Sequence, residues 1–382
     1  MQCDYFDAGV CRSCRLMGQD YAEQLRRKQT TVAQVLAPWV EDPQWAPAVA
    51  SRESGFRNKA KLVVGGRKGA PTVGILDTEA RGVDLRHCGL YEPGLHRAVL
   101  DLADRLPTSG LTPYDVPTRQ GELKHVLLTH SPDGDLMARF VLRSPGQRRR
   151  VEDLLTTLCD SPDTPRLTVA SLNLHPEHTA LLEGPQEELL TEESTLAMAV
   201  GTLRLHLGLR SFFQTNTPVA TELYRQVTEW VREIGPTAVW DLYCGVGGFA
   251  LHLAAPGRAV TGVEVSDEAI RSALRTRAEL PVEHAAGLSF VAADATRYAL
   301  TSDPRARPDL AVVNPPRRGI GEELAGWLDT SGISHVVYSS CSAASLARDL
   351  ARMPAYQVVA ARLFDMFPQT DHHEVAVLLR RR

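Results

Sequence analysis

The sequence predicts a doubly wound α/β domain preceded by an α+β domain, divided near residues 205–211 into 1–207 and 208–382. Three observations predict it. Residues 238–253, AVWDLYCGVGGFALHL, pass from an apolar strand through a glycine-rich turn into an apolar helical segment, the opening of a nucleotide-type βα unit. Strand-like and helix-like runs then alternate to residue 379, the pattern of a mostly parallel sheet covered on both faces. Ahead of them, short alternating apolar runs separated by turn signals read as strands of a different kind of sheet. At 382 residues the chain is long enough for two domains.

In chain order, Cys3, Cys11 and Cys14 come first, spaced C-x7-C-x2-C, with Cys88 far downstream. Two thiolates two residues apart can reach one ion from a single turn, and a distant fourth would pin the N-terminal segment to the body. The residues alone leave zinc and an iron–sulfur cluster equally open. The opening residues MQCDYFDAGVC carry neither a basic nor an apolar leader region, so no secretory signal is expected. No apolar run is long enough to span a bilayer, and cytoplasmic residence with reduced or metal-bound cysteines follows. The charge balance, 42 − 46 = −4, means that nucleic acid would have to be met by a local basic surface.

Residues 21–35 have amphipathic helical spacing, with Arg26, Arg27 and Lys28 on the polar side. FRNKAK (56–61) and Arg67–Lys68 place basic residues around an apolar LVV run. TVGIL, HVLLTH and MARFVLR read as strands, the last two joined by the turn SPDG. A helix is expected over 154–159 and a strand over 167–174, while 183–194 reads as an acidic, solvated loop. GLRSFFQTN then leads into a helix over 218–234, which Gly235-Pro236 ends. The strands after the glycine turn fall at 259–264, 288–292, 309–313, 335–339, 356–364 and 374–379.

The chemistry sits at the strand ends, where an open parallel sheet presents its ligand crevice. Glu264 ends the second strand, where a carboxylate can accept hydrogen bonds from both ribose hydroxyls. Asp294 follows the third, within reach of an adenine amino group, and Asn314 ends the fourth before the rigid Pro315-Pro316. The first turn is not G-x-G-x-x-G, which favours S-adenosylmethionine over a dinucleotide. Asn-Pro-Pro also serves amine methylation when an aromatic follows, but here the next residue is Arg317. Cys341 stands at the end of the fifth strand, where the next helix N-terminus should favour its thiolate. Glu374 opens the last strand. Together they make a nucleophile and a general base. Pyrimidine C5 is a poor nucleophile until a thiolate adds at C6, and a base must then take the C5 proton so that the thiolate can leave.

The segments SFFQTN, DLYCGVGGFAL, GVE, NPPRRG, YSSCSAASLARDL and HHEVAVLL, in this order, resemble the RNA uracil-C5 methyltransferase family across the whole second half. The resemblance implies a Rossmann-like methyltransferase domain in which Gln214, Tyr243, Glu264 and Asn314 bind S-adenosylmethionine, Cys341 is the nucleophile and Glu374 the base. Members commonly have Asp at position 314 and Asn-Pro after the nucleophile, where this chain has Ser342-Ala343. In the first half, MQCDYFDAGVCRSC and FRNKAKLVVGG resemble the branch that modifies 23S ribosomal RNA and carries a [4Fe-4S] cluster. That branch implies an RNA-binding, iron–sulfur N-terminal domain with Cys3, Cys11, Cys14 and Cys88 as ligands. The expected partner is 23S rRNA, with no DNA and no membrane, and a monomer is expected. Methylation of another RNA such as tRNA, methylation of cytosine, and a non-catalytic rRNA-binding role remain open at this level.

Overall fold

Backbone hydrogen bonding and the burial of one apolar face per element account for the architecture of the computed structural model, which describes residues 1–382. The chain divides into two compact units, Met1–Met17 with Arg52–Ala199, and Gly18–Ser51 with Val200–Arg382. The expected division at 207/208 assigns residues 18–51 to the first domain, whereas their contacts belong to the second unit.

The first unit starts with the single turn α1 (Asp4–Asp7), while the helix α2 (Tyr21–Leu36) belongs to the second. Then come β1 (Lys59–Arg67), β2 (Ala70–Leu76), β3 (Gly82–Asp84), α3 (Pro93–Arg105), β4 (Leu123–His130), β5 (Asp135–Leu142), α4 (Arg148–Leu155), β6 (Arg166–Leu174) and β7 (Gln186–Leu189). The seven strands order as β3-β2-β1-β4-β5-β6-β7, antiparallel except for β5 and β6. The i, i+4, i+7 face of α3, Leu95, Val99 and Leu102, is wholly buried with Leu62, Val126 and Phe140 of the sheet. Each such side chain contributes roughly 1.5–3 kcal/mol of transfer free energy.

Two expectations for this unit are corrected. The helix expected over 154–159 starts six residues earlier, because Val151, Leu154 and Leu158 share one buried face. It stops at Leu155, and the turn that follows ends at Cys159, which takes a left-handed backbone (φ 61°). The acidic stretch 183–194 is not simply a solvated loop. It contains β7, and Glu183 and Glu187 both pair with the buried Arg139 at 2.9 and 2.7 Å. A buried guanidinium needs such partners, so the acids are structural.

Next in sequence come β8 (Leu196–Val200) and β9 (Leu203–Leu207), which form a two-stranded sheet. The second unit continues with α5 (Thr217–Ile234), β10 (Ala238–Leu242), α6 (Gly248–His252), β11 (Ala259–Glu264), α7 (Asp267–Ala278), α8 (Val282–Ala285), β12 (Leu288–Ala292) and α9 (Ala295–Thr301). It closes with β13 (Leu310–Val313), α10 (Gly321–Thr330), β14 (His335–Ser340), α11 (Ala343–Leu350), β15 (Tyr356–Phe364) and β16 (Glu374–Arg381). The sheet order is β12-β11-β10-β13-β14-β16-β15, parallel except for β16, which runs antiparallel to both neighbours. Pairing of Leu242 with Val263 and Val313, and of Val313 with Tyr338, brings the carboxyl ends of β10, β11, β13 and β14 to one edge.

One sequence expectation for α2 is also corrected. Arg26 and Arg27 are exposed, but Lys28 is 3% exposed. Its Nζ lies 2.6 Å from the fully buried Asp365 and 3.0 Å from the Phe367 carbonyl. Tyr21, Gln24 and Lys28 (i, i+3, i+7) form a polar stripe. The Tyr21 hydroxyl donates to Asp365 (2.9 Å), and Gln24 exchanges hydrogen bonds with the side chain and backbone of Gln369 (2.9 and 3.1 Å). The stripe braces the loop between β15 and β16.

Candidate active site

The glycine turn after β10 opens the site. Gly245 and Gly247 have φ of 54° and 84°, and Tyr243 between strand and turn takes φ 68°, an uncommon conformation for a bulky residue. The Tyr243 hydroxyl lies 3.5 Å from Thr296 Oγ1, and burial pushes its pKa up. Glu264 at the end of β11 accepts from the backbone N–H of Gly245 (3.2 Å) and of Ser266 (3.0 Å), so its carboxylate stands against the turn. Gly262 in the GVE segment is required by close approach: a Cβ there would lie 2.6 Å from the Phe290 ring and 3.0 Å from Cys244 Sγ. Cys244 is buried.

Asn314 follows β13 and is half-buried; its backbone N–H reaches the Leu242 carbonyl at 3.4 Å. Gln214 is buried in the segment before α5, and Asn216 caps that helix and donates to Ser51 Oγ (2.8 Å) and the Met366 carbonyl (3.3 Å). Asp294 spends one carboxylate oxygen as the N-cap of α9, accepting from Arg297 N–H at 2.9 Å. Gln214, Tyr243, Glu264, Asn314, Cys341 and Glu374 thus all belong to the second unit.

Cys341 follows β14 directly, and Glu374 is the first residue of its antiparallel neighbour β16. The Cys341 pKa is raised, chiefly by burial and then by the Glu374 charge, while Arg317 pulls it down. The expected depression of this pKa by the helix N-terminus is therefore outweighed by desolvation. Ser342 caps α11 by accepting from Ser345 N–H (3.3 Å), and Ser345 Oγ donates to the Arg317 carbonyl (2.7 Å). Ser342, standing after Cys341 where members commonly have Asn, thus keeps a helix cap, and Ser345 anchors the Pro-Pro-Arg-Arg turn. Arg317 Nη2 meets His372 Nδ1 at 3.0 Å. Glu374 is 2% exposed, and burial drives its pKa up to about 7, opposed by a 2.5 Å hydrogen bond from Ser339 Oγ.

Three residues escaped the sequence reading. Asp241, at the end of β10, is fully buried: Oδ2 accepts from Ala250 N–H (2.8 Å), Oδ1 has no hydrogen-bond partner, and burial raises its pKa to about 7. The acid ending the strand was the available signal. Phe212 is 74% exposed beside Gln214, an aromatic face on which a base can stack. Ser339 gave no local signal.

In the first unit Cys14 is buried with Met17, Phe56 and Leu90, and Cys3 and Cys88 pack against this cluster. Burial, then the charges of Cys88, Cys11 and Cys3, raise the Cys14 pKa to about 11. The four thiols therefore share one neighbourhood. They are not gathered around one point, for no group of three or more His, Cys, Asp or Glu is arranged to hold a metal ion. No helix is long and apolar enough to cross a membrane.

The fold is that of a methyltransferase. It resembles the Pyrococcus abyssi tRNA (uracil-54, C5)-methyltransferase solved with S-adenosyl-L-homocysteine, with a TM-score of 0.76 over 96% of this chain and 85% of that one, at 23% identity. The family signature described as tRNA (Uracil-5-)-methyltransferase matches residues 306–382. Over its full length the chain is 46% identical to the 23S rRNA (uracil(747)-C(5))-methyltransferase RlmC of Halothiobacillus neapolitanus, covering 100% of both. It is 43% identical to RlmC of Shewanella amazonensis, covering 99% of this chain and 97% of that one. The chain belongs to the RNA uracil-C5 methyltransferase family.

Proposed function

We propose that this protein transfers a methyl group from S-adenosylmethionine to C5 of a uridine in 23S ribosomal RNA, at the position that its relatives' names number 747. The observation that carries the chemistry is the neighbouring position of Cys341 and Glu374 at the ends of β14 and β16, on the crevice edge of a methyltransferase fold. In this reading the glycine turn, Glu264, Tyr243, Asn314 and Gln214 hold S-adenosylmethionine, which supplies an electrophilic methyl when bound. The position of Glu264 supports this: its carboxylate stands against the glycine turn and accepts from the Gly245 N–H at 3.2 Å. Rings of the target base must leave the RNA stack to reach this edge.

The Cys341 thiolate adds to C6 of uracil, forming a C–S bond and placing the electron pair on the C4 carbonyl side of C5. Arg317 favours that thiolate electrostatically. C5 then takes the methyl, and S-adenosylhomocysteine leaves. Glu374 accepts the remaining C5 proton, the C5–C6 double bond re-forms, and the sulfur departs from C6. With a pKa of about 7, Glu374 is a base poised for neutral pH. Purified protein with methyl-labelled cofactor should label 23S rRNA from cells lacking this modification. Cys341→Ala should abolish labelling, and Glu374→Gln should accumulate a covalent protein–RNA adduct. Undiminished methylation by Cys341→Ala would overturn the mechanism.

Cys3, Cys11, Cys14 and Cys88 are the proposed ligands of a [4Fe-4S] cluster in the N-terminal, RNA-contacting domain. Their shared neighbourhood supports this: Cys14 is buried with Cys3 and Cys88 packed against its cluster, and Cys11 lies near enough for its charge to act on Cys14. Visible absorbance that bleaches on reduction, with iron and acid-labile sulfide, is the expected result. A colourless zinc protein would refute it. The reaction belongs in the cytoplasm, where the ribosomal RNA is.

A further inference from the structure

Residues two apart on a strand project from the same face, so β14 carries Val337 and Ser339 on one face and continues it to Cys341 just beyond its end. Tyr338 and Ser340 face the other way. There Tyr338 donates to Asp349 (2.6 Å), and Ser340 exchanges hydrogen bonds with Ser342 (3.0 and 3.1 Å). Across the ladder, β16 runs antiparallel with Ser339 opposite Ala376 and Ser340 opposite Val375, which puts Glu374 just beyond the pair containing Ser340. Ser339 is wholly buried, and its Oγ donates to Glu374 Oε1 at 2.5 Å. The nucleophile and the residue that grips the base thus share one strand face.

We propose that Ser339 is a positioning residue of the reaction: its hydroxyl pins one oxygen of Glu374 and leaves the other to take the C5 proton. This rests on the assignment of Cys341 and Glu374 given above. A carboxylate sealed from water has few ways to hold either its orientation or its charge. The Ser339 hydroxyl does both, because a donated hydrogen bond favours the ionised form against the burial that disfavours it. The other groups around Glu374 do not substitute. From β14, Cys341 faces it; from α5, the Tyr224 phenol, itself held neutral by burial, senses its charge. On β15 the residue opposite is Phe364, which carries no charge. The adjacent His373 has its pKa lowered by burial and stays neutral near pH 7.

The two chemical steps can be timed separately. In single turnovers between pH 6 and 9.5, methyl incorporation into RNA reports on addition and transfer, and loss of the covalent protein–RNA adduct reports on proton removal. Ser339→Ala should leave S-adenosylmethionine affinity and methyl incorporation near wild type. It should slow adduct resolution roughly tenfold or more at pH 7, the scale of a hydrogen bond to a charged group, and move the acid limb of that step to higher pH. Ser339→Thr, which keeps the hydroxyl, should restore the wild-type limb. A Ser339→Ala protein that resolves its adduct at the wild-type rate and pH dependence would overturn the proposal. So would equal slowing of both steps with a lowered melting temperature, which marks a purely structural role. Glu374→Gln separates the two levels: if it resolves adducts normally, the assignment of the base fails, whereas if it stalls and Ser339→Ala does not, only Ser339 is wrong.

Discussion

Arg317 is exposed, and its charge acts on the half-buried Cys341. It is the one side chain lowering the Cys341 pKa, against burial and the Glu374 charge. Arg317→Ala should therefore slow adduct formation at neutral pH and shift its pH profile alkaline, with Arg317→Lys recovering part of the loss; stopped-flow trapping of the adduct measures both. An unchanged profile would remove Arg317 from the chemistry. Cys341, Glu374, Glu264 and the glycine turn were legible in the sequence because each residue's chemistry and its place at a strand end can be read locally. Ser339 and Asp241 were not. The Ser339 contact spans 35 positions and exists only in one register of two antiparallel strands. Asp241 becomes unusual only when α6 and the neighbouring strands close over it.

At the scale of elements, α2 was legible as an amphipathic helix, but Lys28, one of the three basic residues read on its polar side, faces protein. Lys28 is held charged against burial by Asp365, and Tyr21 and Gln24 complete the grip on the loop that delivers Glu374. Sequence spacing shows a polar stripe and cannot say whether water or a partner carboxylate lies opposite it. Removing one member of a buried ion pair leaves the other uncompensated, so Lys28→Met or Asp365→Asn should each cost about 3–5 kcal/mol in chemical denaturation. A paired Lys28→Met/Asp365→Leu exchange should cost less than the sum of its single changes. Additive losses would mean that the two charges do not act as a pair. The alternation of strands and helices was legible throughout the second unit, since period and glycine punctuation are local. The direction of β16 was not, because nothing in HHEVAVLL distinguishes a parallel from an antiparallel edge.

For the molecule as a whole, the two sealed carboxyls shape the dependence of stability on pH. Asp241 and Glu374 titrate near 7 when folded and near about 4 when unfolded. Below pH ~4 both states keep these protons and the stabilisation is complete. As the pH climbs through 7 the folded protein must ionise the groups in apolar surroundings, and that stabilisation is lost. Asp241→Asn and Glu374→Gln should each therefore melt a few degrees above wild type at pH 8, with the advantage vanishing near pH 4. Melting temperatures across this range decide it; an advantage that persists at pH 4 would mean that the effect is not one of ionisation. The placement of β16 between β14 and β15 bears in turn on how the protein is made. A ribosome delivers β15 before the strand that joins it to the sheet, so both β14 and β15 wait with an open edge, the kind that recruits foreign strands. A nascent chain interrupted between residues 364 and 374 carries Cys341 without Glu374 and two unpaired strands. The order of the last two strands thus leaves the sheet unfinished until the final residues of the chain arrive.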